Sequence, residues 1–201
     1  MKRAVYARPN KPMRISIKGR DGFGKLDPVQ VVEPMIVDKF TECHVTPDDV
    51  ASRMVAYLGP PGDFLTLEPS AGTGQLTKAL LASGHSRFEL TQVERHAKLA
   101  SRLHQFGPVI NRCFLEWAAE VAGRVEYPRI IMNPPFSEIR KHILAALQLL
   151  GRGGHDTPAV LVALVPVTYV HSDAETLENL PDDSFATAKV NTKIIRITKP
   201  N

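Results

Sequence analysis

The sequence predicts one α/β domain with a mostly parallel central sheet, helices on both faces and an antiparallel strand at its carboxy-terminal edge. Three observations predict it. Residues 63 to 83 pass from a short strand through a glycine-rich turn into a helix, the unit from which parallel sheets are wound. Residues 129 to 132 and 159 to 165 are short apolar runs separated by a helical stretch, as strands covered on both faces require. The first of these runs stops at Asn133-Pro134-Pro135-Phe136, because two successive prolines lock φ and cannot donate to a sheet ladder.

In chain order, residues 1 to 39 read as a largely irregular arm, since Pro9, Pro12, Gly19, Gly22, Gly24, Pro28 and Pro34 interrupt every short periodic run. Residues 40 to 201 form the single domain. Thr46 is placed to cap a helix over 47 to 58, with Pro47 at its first position, Asp48 and Asp49 in its first turn, and Val50, Met54, Tyr57 and Leu58 on one face. A strand over 63 to 68 then leads through Pro69-Ser70-Ala71-Gly72-Thr73-Gly74 into a helix over 75 to 83. Glycines at 72 and 74 let the backbone approach a ligand and leave amides at the helix start free to face it. A second strand, 87 to 93, ends at Glu94, twenty residues beyond Gly74. A mononucleotide-binding βαβ unit places the carboxylate that accepts ribose hydroxyls at that distance.

A helix over 95 to 106, a short strand at 109 to 110 and a brief helix around 116 to 122 precede the strand at 129 to 132. Ile139, Ile143, Leu144, Leu147 and Leu150 mark one side of a helix over 137 to 150. After the fifth strand, 159 to 165, residues 171 to 185 read as a polar loop with one helical turn, and 186 to 198 as a last, antiparallel strand.

The 201 residues carry a net charge of +4, unevenly spread. Residues 1 to 26 hold eight basic residues and one acid, leaving the remaining 175 at −3. Such an arm suits phosphate contacts with a nucleic acid. Cys43 and Cys113 belong to no metal-ligand spacing, and the seven histidines show none either, so no metal is expected. No apolar run approaches eighteen residues and no signal segment opens the chain; a cytoplasmic protein with no membrane association is expected.

The chemistry centres on residues 133 to 136. The amide oxygen of Asn133 and the carbonyl of Pro134 can together accept both hydrogens of a planar amino group, and Phe136 offers a face for a flat ring. Taken with Glu68-Pro69-Ser70-Ala71-Gly72-Thr73-Gly74 upstream, this motif resembles the S-adenosylmethionine-dependent amino-group methyltransferases, most closely the adenine-N6 DNA methyltransferases. The resemblance covers roughly residues 40 to 199 and implies a Rossmann-like class I methyltransferase fold.

By that resemblance, Glu68, Pro69, Ser70, Ala71, Gly72 and Gly74 line the amino-acid portion of S-adenosylmethionine. Glu94 holds its ribose hydroxyls, and Thr46 and Pro47 help enclose the methionine end. Asn133, Pro134, Pro135 and Phe136 form the catalytic motif, with Asn133 also beside the cofactor. Phe136 would stack on a base rotated out of a duplex. Methyl transfer would be direct and in line, without a covalent enzyme intermediate.

Two departures stand out. Where the family has an acid before an aromatic at the end of the third strand, this chain has Cys113 before Phe114; Phe114 could still stack on the cofactor's adenine. The residues after Phe136 hold no target-recognition region, so sequence readout is expected to be slight, or to come from the basic arm or a protein partner. That pattern resembles compact solitary methyltransferases of bacterial mobile elements or phages. DNA is the expected substrate. An RNA adenine-N6 methyltransferase, a protein glutamine methyltransferase, and a non-catalytic module binding cofactor and nucleic acid are the alternatives.

Overall fold

The computed structural model describes residues 45–181 and 191–199. The basic arm, Phe40 with Cys43 and His44, and residues 186 to 190 of the expected last strand lie outside them. Among the described residues, seven strands form one sheet in the order β3-β2-β1-β4-β5-β7-β6. They are β1 (Thr66–Pro69), β2 (Leu90–Val93), β3 (Val109–Ile110), β4 (Arg129–Met132), β5 (Ala159–Pro166), β6 (Ala174–Leu180) and β7 (Thr192–Lys199). The first five run parallel, with Thr66 beside both Leu90 and Arg129 and Ile131 beside Val162. β7 lies antiparallel to β5 and β6 antiparallel to β7, so the antiparallel edge consists of two strands.

The chain winds outward from β1 through β2 to β3, then returns to start β4 on the other side of β1. This reversal leaves a crevice beyond the carboxyl ends of β1 and β4, where open α/β sheets take ligands.

Helix α1 (Asp48–Leu58) precedes β1, and α2 (Gln75–Ala82), α3 (Ala97–Leu103), α4 (Phe114–Val121) and α5 (Ile139–Leu149) fill the crossovers. All four residues of β4 are buried, so successive side chains must feed two different cores. Ile130 and Met132 join Phe114, Trp117, Ile143 and Leu149 of α4 and α5 on one face. Ile131 joins Val50, Met54, Leu76 and Leu80 of α1 and α2 on the other. Chain alternation thus glues two helical layers to a single strand.

Several expected boundaries shift. β2 begins at Leu90, because residues 87 to 89 turn outward and leave Phe88 86% exposed. α4 begins at Phe114 rather than Glu116. Residues 136 to 138 form a single tight turn before α5. The expected polar loop at 171 to 185 instead contains β6. Its sequence carries no apolar alternation because only Leu180 is buried; the ladder to β7, bulged between Thr176 and Glu178, makes it a strand. Glu178 also anchors β6 to α1 by accepting from Arg53 Nε at 3.1 Å and Tyr57 at 3.3 Å.

Gly74, at the start of α2, has φ +77°, and a Cβ there would lie 2.6 Å from Cδ2 of the buried Leu103. Gly74→Ala is therefore expected to cost about 1–3 kcal/mol, read as a lower midpoint in urea unfolding.

Candidate active site

The loop from Pro69 to Gly74 turns the chain from β1 into α2 within a few residues. It does so by left-handed backbone at Ser70 (φ 57°), Gly72 (φ 56°) and Gly74 (φ 77°). Glycine tolerates this conformation, but Ser70 is held there at a cost of order 1 kcal/mol or more. Two backbone bonds hold it: Ala71 N donates to Val93 O at 3.0 Å, and Gly74 N to Ala71 O at 2.9 Å.

Glu94, at the tip of β2, is the second anchor. Its carboxylate is 4% exposed and accepts from Gly72 N at 2.8 Å and His96 N at 2.7 Å. Asn111 Nδ2 donates to the Glu94 carbonyl at 2.8 Å, tying β3 to the same corner. Beside this carboxylate, His96 Nδ1 is buried without a hydrogen-bond partner. A buried polar atom left open at a site edge is a place for a ligand's polar group.

Glu68, next to last in β1, is 2% exposed. It bonds the Thr77 hydroxyl, which also lies 2.9 Å from Gln92 Oε1. Burial pushes its carboxyl up from 4.5 to about 8, against the lowering pull of its Thr77 bonds, with Glu94 adding to the rise and Lys78 opposing it.

Asn133 leaves the end of β4, and its Nδ2 donates to Thr46 Oγ1 at 2.9 Å. Thr46 was expected to cap α1. Instead Pro47 occupies the cap position with no side-chain cap bond, and the buried Thr46 hydroxyl serves Asn133. Pro134 is buried, Pro135 and Phe136 are half-buried, and Phe136 packs against the α4–α5 core.

Thr46, Glu68, Ser70, Gly72, Thr73 and Asn133 line one open cleft. The two expected motifs therefore meet in space, although some sixty residues separate them in sequence. Ala71 also lines the cleft, Glu94 stands behind its Gly72 wall, and Pro47, Pro69 and Gly74 frame the elements that shape it. Cys113 is half-buried at the start of α4. Phe114 is turned into the core: it is 3% exposed and stacks on His142 with ring centroids 5.8 Å apart. Its place at the head of a helix, rather than the end of a strand, aims it inward.

Sequence reasoning missed Val45, Gln75 and Leu76 of the cleft wall, and the Thr77 and Gln92 side chains behind Glu68. Gln92 carried a signal, being a polar residue within a buried strand. No group of His, Cys, Asp and Glu among the described residues could hold a metal ion, and no described helix is long and apolar enough to cross a membrane.

No protein-family model matches the chain, and no curated protein matches it. Solved structures do. A Pyrococcus horikoshii protein assigned as an RNA methyltransferase aligns with a TM-score of 0.59 and 20% identity, over 82% of this chain and 90% of its own. The 23S rRNA methyltransferase ErmE aligns at 0.55 and 18%, over 75% and 67% respectively. An RNA methyltransferase from Salinibacter ruber, solved with S-adenosyl-L-homocysteine, aligns at 0.55 and 12%, over 78% and 94%. The chain thus has the Rossmann-like class I methyltransferase fold.

The raised Glu68 carboxyl sets a sign for stability against pH. Folding favours its neutral form, so the contribution is full below about pH 4.5 and is lost as pH rises through about 8. Urea unfolding from pH 5 to 8 should show stability falling by more in the wild type than in Glu68→Gln; equal slopes would remove Glu68 as the cause.

Proposed function

We propose that the chain is an S-adenosylmethionine-dependent methyltransferase that methylates the exocyclic N6 amine of adenine in DNA. One observation carries this reading: Asn133, at the head of the amine-accepting motif, lines the same cleft as the Glu68–Gly72 loop. The site fits the cofactor on its own terms. Glu94 is a buried carboxylate at the second strand tip, His96 Nδ1 stands open beside it, and left-handed backbone at Ser70 and Gly72 folds the loop along the cleft.

When bound, S-adenosylmethionine supplies an electrophilic methyl group on a sulfonium sulfur. The loop from Glu68 to Gly74 would hold its amino-acid end, Thr46 and Pro47 would enclose that end, and Glu94 would accept its ribose hydroxyls. Cys113, where the resembled family carries an acid, would lie by the adenine.

An adenine amine is a weak nucleophile because its lone pair is delocalised into the ring. Asn133 Oδ1 and the Pro134 carbonyl would accept its two hydrogens and favour a tetrahedral nitrogen. Pro135 fixes the turn that presents both acceptors, and Phe136 would stack on the base. The nitrogen gains the methyl and releases one hydrogen as a proton. Thr46 takes the Asn133 Nδ2 hydrogen bond and so holds the amide in place at the end of β4.

RNA is the second reading. The assignments of the similar Pyrococcus and Salinibacter structures, and of ErmE, favour it, and single-stranded RNA presents unstacked adenines without base rotation. The basic arm suits either polyanion.

Transfer of labelled methyl from S-adenosylmethionine, offered in parallel to unmethylated DNA, total RNA and cell protein, tests the proposal. N6-methyladenine in DNA is expected; label in RNA adenine moves the substrate to the second reading, and label in glutamine overturns both. Asn133→Ala should lower kcat by about 100-fold or more with cofactor binding kept. Thr46→Val should lower kcat by roughly tenfold with KM little changed.

A further inference from the structure

The hydrogen count around Thr77 does not close with an ionised Glu68. Thr77 is fully buried, and its one hydroxyl proton faces two oxygens, Glu68 Oε2 and Gln92 Oε1. The Gln92 amide cannot turn to relieve this cheaply. Its Nε2 lies 3.5 Å from the Leu103 carbonyl and 3.4 Å from that of Pro108, so reversal would set an amide oxygen against two carbonyl oxygens. With Gln92 so oriented, Thr77 donates to Gln92, and the bond between Thr77 and Glu68 needs a proton from Glu68. The chain of donors then runs from Glu68 to Thr77 to Gln92 to the carbonyls behind β2, and every member is satisfied.

Burial is the largest influence against a charge on Glu68, and the Thr77 backbone amide opposes it; Glu94 on β2 further disfavours a second negative charge, and Lys78 on α2 is a weaker opposing influence. β4 contributes Asn133, which does not titrate, and the nearby acid of α1, Asp48, is tied to Gln75 Nε2 at 2.8 Å.

We propose that Thr77 and Gln92 are positioning residues that keep Glu68 a neutral acid in the unliganded protein, and that the ammonium group of an entering ligand takes its place by driving the proton out. Glu68 lines the cleft, so a cation arriving there meets the carboxyl directly. Ion pairing favours the carboxylate. The Glu68 proton leaves to solvent, Thr77 turns its hydroxyl from Gln92 to Glu68, and the ligand's own charge replaces the one the fold could not hold bare. Binding of a cationic amino-acid moiety is thereby coupled to release of one proton. Affinity rises with pH until the free Glu68 ionises. The ligand half of this inference rests on the cleft taking the amino-acid end of S-adenosylmethionine; the unliganded half does not.

Two measurements on the full chain test it. Carbon-13 NMR of the Glu68 carboxyl, assigned by its loss in Glu68→Gln, should show a neutral acid at pH 6.5 in the free protein. Gln92→Leu should move its titration to lower pH, because Thr77 is then free to donate to Glu68. An ionised Glu68 at pH 6.5, or a titration unmoved in a folded Gln92→Leu, overturns the network. Calorimetry with S-adenosylhomocysteine at pH 6.5, in two buffers of different ionisation enthalpy, should show close to one proton released per ligand bound, and none in Glu68→Gln. Binding without proton release overturns the coupling and leaves the methyltransferase reading standing. Failure of S-adenosylhomocysteine to bind overturns the cofactor reading and the coupling together, while the titration still decides the state of Glu68.

Discussion

Two strands that meet at the reversal of a parallel sheet carry the rest of this structure. β1 and β4 hydrogen-bond to each other, yet the chain leaves them toward opposite sides. Among the described residues no crossover covers the space beyond their carboxyl ends, and backbone groups there must be satisfied by what the loops supply. The Glu94 carboxylate does part of this, taking two backbone amides at one corner. Left-handed residues at 70, 72 and 74 do the rest by folding the loop back on β2. The cleft follows from strand order first and from side chains second.

Around that cleft the fold spends polar groups where it could have used apolar ones. Glu68, Thr77, Gln92, Glu94 and Thr46 are all buried at or behind the cleft wall. Each costs free energy unless its hydrogen bonds are made, and together they form two connected sets, Glu68 with Thr77 and Gln92, and Thr46 with Asn133. Away from the cleft, the strand interiors are mainly aliphatic, with Thr66, Arg129 and Thr192 buried at the starts of β1, β4 and β7. A concentration of satisfied but expensive groups at one sheet edge is what pre-organised binding requires.

Much of the architecture was legible because it follows from short-range rules. The glycine turn after β1, the proline stop after β4 and the apolar run of β5 each announce themselves within a few residues. β6 did not, since an edge strand buried only at Leu180 needs no alternation and is defined by its ladder to β7. Phe114 was placed by analogy at a strand end, but helix α4 starts two residues earlier than periodicity allowed, and the ring stacks on His142 instead.

The amino-acid sequence by itself determined the α/β class, the order of helices and strands from α1 to β5, and the two motifs that end β1 and β4, because strand-breaking prolines, left-handed glycines and apolar periodicity act locally. Only the tertiary structure decided that Thr46 bonds Asn133, that Glu68 meets Thr77 and Thr77 meets Gln92, and that Phe114 belongs to the core. Those pairings join residues 9 to 87 positions apart, and a hydrogen bond between distant residues exists only once the sheet has set its strands side by side.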